Sequence, residues 1–543
     1  MRALAVAAAL ICALTAAPGA LARERDDGGH AGRAVDVQIL GINDFHGNLE
    51  PPHPAEGGVE HLAVHVKRLE ATNPDRTVVV SAGDLIGASP LLSALFHDEP
   101  TIEAMNALGL DVNAVGNHEF DEGAAELLRM QGGGCHPSDG CLDGDGFGGA
   151  DFRFLAANVV READGRPILP PYVVKRFDGV KVAFIGETLQ GTPEIVTPSG
   201  VAGLRFGDEA DTINALVPQL RRQGVRTIVA LIHEGGFPVT DGQCVSGPIR
   251  DIVERTSDEV DLFMTGHTHQ LYDCVVDGRP VTSAGSFGRK LTDVHMTIDR
   301  RTRQPRTIAA ENLVVTRVDA PDPAQTALLA KYRAVAGPIA DRVIGTAAAG
   351  IARDDATPAL ETGLGDVIAD AQLEATQPDG FGGAQIALMN PGGIRANIAA
   401  GEVTYAEAFA VQPFGNSLVT MTLTGAQIER LLEQQAFPAT PADPSRILQV
   451  SDGVRYTWDA TRPAGDRIDP ASIALNGLPL SPVASYRVTV NSFLADGGDG
   501  FTVLREGTDR LGGAVDLDAL EAYFRAHSPV GPGPRDRILR SGA

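Results

Sequence analysis

Between Val35 and about Thr316 the chain keeps repeating one unit: a short apolar run, a polar loop that carries glycine, then residues at helical spacing. "TVVVSAGD", "DVNAVGNHEFD", "KVAFIGE", "TIVALIHEGG" and "LFMTGHTHQ" are instances. Strands that alternate with helices predict a layered α/β domain, and such domains place functional groups at strand ends. The segment "GGGCHPSDGCLDGDGFGGAD" (132–151) breaks the rhythm and reads as an irregular loop. Its Asp143-Gly-Asp145-Gly lacks the ligand set and closing glutamate that a calcium loop needs.

At 543 residues the chain exceeds what one core supports, so two or more domains are expected. "PDPAQTALLAKYRAVAGPIADRV" (321–343) has apolar residues at helical spacing, interrupted by Gly337 and Pro338, and predicts a connecting helix or helices. A second domain follows over 344–540. It opens with a helix at "LGDVIADAQLEAT", passes through the strand "AQIALMN" and closes with the strand "SYRVTVNSFLA" before "DGGDGF". No repeat of the first domain is visible in it.

The first residues are of a different kind. Arg2 precedes the apolar run "ALAVAAALICALTAA", and Ala20 and Ala22 form an A-x-A cleavage pattern, so residues 1–22 read as an export signal to a periplasmic or secreted destination. The run is shorter than the roughly 20 residues of a spanning helix, and Cys12 lies inside it, where no lipid anchor is attached. No later segment predicts a membrane span. Cleavage removes one of 45 basic residues and none of the 70 acidic ones, leaving 44 against 70. Such a balance disfavours a nucleic-acid polymer as partner. The one basic cluster, "DRRTRQPRT" (299–307), sits between the strand-like "VHMTI" and "TIAAENLVV" and reads as a hairpin tip. Four cysteines remain, and in an exported chain an even number suggests disulfides. Proximity pairs Cys135 with Cys141 and Cys244 with Cys274, with two other pairings open; zinc is the lesser reading without a C-x-x-C.

The strand ends of the first domain carry Asp44 and His46 in "NDFHG", Asp84 in "SAGD", Asn117 and His118 in "GNHEFD", His233 in "ALIHEGG", and His267 and His269 in "TGHTH". A lone histidine at a strand end reads as structural; five of the chain's 13 histidines at such places need one account. Mixed imidazole, carboxylate and amide oxygen, without sulfur, suit two divalent first-row metals better than a closed zinc site. Two cations about 3.5–4 Å apart supply a nucleophile near neutral pH and clamp phosphoryl oxygens. A carboxylate must bridge them, and Asp84 is the choice.

In that order these motifs resemble the calcineurin-like metallophosphoesterases, and "NDFHG" with "GNHEFD" points to their 5'-nucleotidase branch. The branch includes bacterial periplasmic 5'-nucleotidase/UDP-sugar hydrolases and animal ecto-5'-nucleotidases. The second domain's "NPGGIR" (390–395), "QPFGN" (412–416) and "NSFLADGGDGF" (491–501) resemble the same branch. The resemblance implies an α/β fold: a four-layer α/β/β/α metallophosphoesterase domain over 35–320, a helical linker over 321–343 and an α/β nucleotide-binding domain over 344–540. It implies one metal on Asp44, His46, Asp84 and His269, and another on Asp84, Asn117, His233 and His267. The ions would be zinc, manganese, cobalt or iron. His118 corresponds to the non-ligand catalytic histidine, oriented by Asp121. Phe414 and Phe493 would sandwich a base, Asn390 and Asn416 would bond base or ribose, Asp499 the ribose hydroxyls, and Arg395 the nucleotide or its phosphate. The substrate implied is a nucleoside 5'-monophosphate, with UDP-sugars or other nucleotides within the family's range. The rivals are a 2',3'-cyclic-nucleotide phosphodiesterase/3'-nucleotidase and a non-catalytic exported nucleotide-binding protein. The chain departs from the pattern where members carry an arginine and an asparagine: Pro358 and Asp366 stand there.

Overall fold

The computed structural model describes residues 32–51, 54–196, 198–239, 244–353, 361–435, 446–459 and 461–541; the expected export signal and Pro358 lie outside the described residues. Two six-stranded sheets build the first half. One runs in the order 305–314, 290–299, 34–42, 77–81, 112–114, 153–155, and the other 271–276, 279–284, 262–265, 227–232, 180–187, 172–177. The inner strands of each pair in parallel; antiparallel strands close both edges of the second sheet and one edge of the first, whose other edge, 153–155, is parallel to its neighbour.

Strand periodicity explains the layering. Val35, Val37, Ile39, Val78 and Val80 of the first sheet share a buried cluster with Val182, Phe184, Val229 and Leu231 of the second. Their alternate neighbours Leu40, Ile42 and Val79 face a separate cluster with helical residues Leu62, Val66, Ile102 and Met105. On the far side, Ala183, Ile185, Ile228 and Ala230 meet Ile213, Val217, Ile249 and Val253. Strands buried on both faces give continuous apolar runs, and the stack is α/β/β/α.

The helix Pro323–Ala340 starts on Asp322, whose carboxylate accepts from the Ala324 and Gln325 N–H groups. Of the two expected forms it is the single helix: Gly337 and Pro338 fall in its last turn and do not break it. Its Tyr332 ring packs 4.8 Å from Phe96, and Gln325 donates to the Ala104 carbonyl, so it is fastened to the first half. Lys331 also reaches Asp143 at 2.7 Å and Asp145 at 3.1 Å, filling with an ammonium the acidic turn of the 132–151 loop.

The second half centres on a five-stranded sheet in the order 449–450, 386–389, 485–491, 417–424, 508–515. Its regular structure extends past the strand at 485–491, where the sequence reading closed it: Thr508–Val515 is an exposed edge strand, Asp516–His527 a helix and Ile538–Ser541 a last strand. It also opens earlier, with the strand Val343–Ala347 ahead of the helix Gly363–Thr376. Cys135 is bonded to Cys141 and Cys244 to Cys274. Residues 300–304 form the tip between strands 290–299 and 305–314, as the arginine-rich segment suggested.

Candidate functional site

The strands 34–42, 77–81 and 112–114 of one sheet and 227–232 and 262–265 of the other all end at the same edge of the stack. Each hands its next few residues to one buried cluster. Asp44, His46, Asp84, His267 and His269 all have positive φ, between 48° and 69°. Non-glycine residues rarely take that conformation, and five together mark a strained, over-determined site. Glycine is required beside them: a Cβ on Gly116 would lie 2.1 Å from an Asp84 oxygen.

The side chains converge in overlapping groups, two of which contain Asp84: one with His233 and His267, one with His46 and His118. Asp44, His46 and His269 form a third. Asn117 joins the group of His233 and His267, its amide oxygen 3.1 Å from His267 Nδ1. The ring hydrogens are already committed. His233 Nδ1 bonds the Ala82 carbonyl at 2.8 Å and His46 Nδ1 the Gly87 carbonyl at 2.9 Å, so in the neutral rings both Nε2 atoms carry lone pairs. His233 Nε2 is buried without a hydrogen-bond partner, yet lies 2.9 Å from Asp84 Oδ2. His46 Nε2 lies 3.1 Å from His269 Nε2 and 3.6 Å from Asp84 Oδ2. Acceptors facing acceptors at such distances call for cations between them, and the donor set fits two divalent ions.

The electrostatics divide the four rings, three held neutral and His233 held charged by Asp84. Burial holds the His267 imidazole down to about 3 and His269 to about 4, and His46 well below its ordinary value, so these rings are neutral as ligands must be. Burial also opposes charge on His233, but Asp84 overrides it and lifts the ring to about 10: a positive charge is favoured where the two groups meet. Burial pushes Asp44 up to about 7, with His233 opposing.

His118 stands at the rim. Its backbone N–H donates to Asp84 Oδ1 at 2.9 Å, and its Nδ1 lies 2.8 Å from Asp121 Oδ2. Burial works against its imidazolium, but Asp121 and then Asp84 outweigh burial and raise its pKa. From the second half, the Phe414 ring lies 6.0 Å from the His118 ring and 16° from parallel to it. The Arg395 guanidinium sits 5.8 Å from the Phe414 centroid, close enough to feel Asp121 and Asp84. The remaining expected residues gather a step away. Asn390 donates to Asp499 at 2.8 Å, Ser492 to Asn416 at 3.1 Å, and the Phe493 ring lies directly on Gly498. The 498–500 turn in turn packs against the helix Thr192–Ile195 of the first half. Asp366 turns away from this site into its own core, where it accepts from the Arg535 N–H, and burial raises it to about 8.

Several participants escaped the sequence reading. Glu119, inside "GNHEFD", accepts from the N–H groups of Asp84, Leu85 and Gly116 and from the Asn113 amide, pinning the Asp84 loop. Asn43 holds Asp44 Oδ2 at 2.6 Å. Phe287 lies against the His46 and His269 rings. Arg353 donates to the Arg395 carbonyl, so a second guanidinium stands near the first.

The cleft wall beside His118 and Phe414 includes His97, Asp98 and Glu122. His97 is gripped by Glu122 at 2.8 Å and Asp139 at 2.9 Å, with His136 stacked 3.8 Å away. The hydrogen bond that His97 donates to Glu122, and the one to Asp139 after it, lift its ring to about 9 against burial. A folded-state pKa above the unfolded one adds stability that is complete below about 6.5 and disappears as pH rises through about 9. Thermal melts across that window should therefore fall more steeply for the wild type than for His97→Gln; parallel curves would contradict the ion pair.

A model of the calcineurin-like phosphoesterase family matches residues 37–271, and one of the 5'-nucleotidase C-terminal domain matches 343–506. The chain is 32% identical to Endonuclease YhcR of Bacillus subtilis, over 91% of this chain and 40% of that protein. It is 33% identical to Cell wall protein Lmo0130 of Listeria monocytogenes, over 90% of this chain and 66% of that one. It thus spans less than two thirds of either relative's length. Among solved structures, the 5'-nucleotidase precursor from Thermus thermophilus superposes with a TM-score of 0.76 at 29% identity, covering 93% of this chain and 99% of the other.

Proposed function

We propose that this chain, which belongs to the 5'-nucleotidase family of calcineurin-like phosphoesterases, is exported and hydrolyses nucleoside 5'-monophosphates to nucleoside and phosphate. The observation that carries the reading is the approach of Phe414 and Arg395 to His118 and Asp84: an aromatic face and a fixed cation from one half confront the histidine and acid cluster of the other. In this reading the 35–320 and 344–540 regions are the two domains and 321–343 the linker. Asp44, His46, Asp84 and His269 hold one divalent ion, and Asp84, Asn117, His233 and His267 the other. When bound, the pair activates water and neutralises phosphoryl charge.

The chain's own groups do the rest. Asp121 keeps a proton on His118 Nδ1 and favours the cationic ring, so Nε2–H donates to a phosphoryl oxygen as charge builds there. Arg395 offers its planar fork to phosphate oxygens. Phe414 and Phe493 stack on the base, a contact worth on the order of 1–3 kcal/mol per face and tolerant of base identity. Asn390, Asn416 and Asp499 bond base and ribose. Water adds to phosphorus, the ester bond to the 5' oxygen breaks, and that oxygen leaves with a proton as the nucleoside hydroxyl.

No helix among the described residues is long and apolar enough to cross a membrane. The test is phosphate release from 5'-AMP by metal-stripped protein, with and without added manganese or zinc. 3'-AMP, 2',3'-cyclic AMP and UDP-glucose are run in parallel. Release from 5'-AMP that depends on metal is expected. Preference for 3'-AMP or the cyclic nucleotide would replace this reading with the phosphodiesterase one, and nucleotide binding without any hydrolysis would leave a binding protein.

A further inference from the structure

We infer that Asp98 is a positioning residue for this site, acting through the Gly87 peptide on His46 and, beside it, on the His118–Asp121 pair. The inference rests on the metal-dependent reading above and adds a residue that no motif contains. Asp98 immediately precedes the helix Glu99–Leu108, where an aspartate ordinarily turns its carboxylate onto the first helical N–H groups. Here it does not: it makes no capping bond and has φ 61°, next to His97 at φ 52°. The carboxylate is buried, 7% exposed, and spends its oxygens elsewhere. Oδ2 accepts from the Gly87 N–H at 3.0 Å, and Oδ1 accepts from Ser93 Oγ at 2.6 Å.

The contacts of Gly87 explain the arrangement. Its carbonyl accepts His46 Nδ1–H at 2.9 Å, which fixes the tautomer and aim of that ring. The next N–H, of Ala88, donates to Asp121 Oδ2, the oxygen that also meets His118 Nδ1. One stretch of backbone thus touches a proposed metal ligand on one side and the catalytic pair on the other, and Asp98 anchors its N–H. The stretch is packed so closely that a Cβ on Gly87 would lie 2.4 Å from the His118 carbonyl, so it cannot be held by a side chain of its own. A buried carboxylate from a neighbouring loop holds it instead, at the expense of a helix cap and two left-handed residues.

Outer partners of metal-bound histidines typically change metal affinity by about 10–100-fold when removed. Asp98→Ala deletes the acceptor, while Asp98→Asn keeps an oxygen for the Gly87 N–H. Manganese affinity, measured by competition with a fluorescent chelator, should weaken by that factor in Asp98→Ala and return most of the way in Asp98→Asn; kcat for 5'-AMP should follow, with KM little changed. A capping or packing role would instead lower the melting temperature in both variants and leave manganese affinity alone, and that result overturns the inference. If Asp98→Ala does not fold, Ser93→Ala, which frees the carboxylate without removing it, must weaken manganese binding; unchanged affinity there overturns it equally. The wild type separates the two levels: if it binds no manganese and hydrolyses nothing, the functional reading fails and takes this inference with it, whereas an active wild type with an unaffected Asp98→Ala sinks the inference alone.

Discussion

Asp84→Asn is expected to abolish phosphate release and to reduce the bound divalent metal from the proposed two ions per chain to one or none. The carboxylate is 1% exposed and stands between the two candidate ligand groups: Oδ2 lies 2.9 Å from His233 Nε2 and 3.6 Å from His46 Nε2, while Oδ1 accepts the His118 N–H. Asparagine has nearly the same shape and keeps an oxygen for the His118 N–H, so the loop geometry should survive. The variant loses the negative charge that lets two cations sit side by side. Losing an outer partner of a metal ligand already costs about 10–100-fold, so losing the ligand common to both ions should cost more than about 10³-fold in kcat/KM. The fold is expected to tolerate the change. Asp84 is held ionised against its burial by His233 first and His118 next, and exchanging a buried charge for a neutral amide relieves desolvation as well as removing attraction. Elemental analysis after dialysis, beside 5'-AMP turnover and a thermal melt, checks all three points. Two retained metals with wild-type turnover would remove Asp84 from the centre of the mechanism.

The strand-end residues were legible because each motif is local. A strand that stops at Ile42, Ser81, Ala114, Ile232 or Thr265 must present its next residues at the same edge, and parallel pairing puts those edges together. Chemistry carried by the few residues after a strand can therefore be read along the chain. Asp98, Arg353 and Phe287 could not be read that way. Each reaches the site across tertiary contacts, from a helix start, a loop and a turn whose local sequences have no motif around them. The edge strand Thr508–Val515 was missed for a different reason: "TDRLGGAV" contains two glycines and no alternating apolar face, and pairing with Ser417–Thr424 makes it a strand. Pro338 left open whether 321–343 held one helix or several. A proline usually ends a helix, but one turn from the end the helix gives up little by containing it, and Tyr332 and Gln325 had already docked the preceding turns.

His118→Ala should lower kcat for 5'-AMP by about 10³-fold while both proposed metals stay bound, because in the proposed mechanism its ring stabilises charge that appears only as the ester bond breaks. Both proposed ligand sets leave this ring out: Asp44, His46, Asp84 and His269 would hold one ion, and Asp84, Asn117, His233 and His267 the other. Asp121→Asn leaves the imidazole in place but removes the carboxylate that raises its pKa, so the loss should be smaller, on the order of 10²-fold. Its acidity should show it too: with Asp121 gone, the group that must be protonated titrates at lower pH, so the alkaline limb of the kcat profile moves to lower pH in Asp121→Asn. The double variant should be no slower than His118→Ala, because Asp121 has nothing left to orient. Additive losses would mean that Asp121 acts by some route other than His118, for which its bond to the Ala88 N–H and its pull on Arg395 are the candidates. Phe414 supplies a check from the other half of the chain. Its ring faces His118 at 6.0 Å, so Phe414→Ala should raise KM for 5'-AMP while p-nitrophenyl phosphate, which offers no nucleobase, is turned over as before. A His118→Ala protein that keeps its metals and its kcat would assign the charge stabilisation to Arg395 and the ions alone.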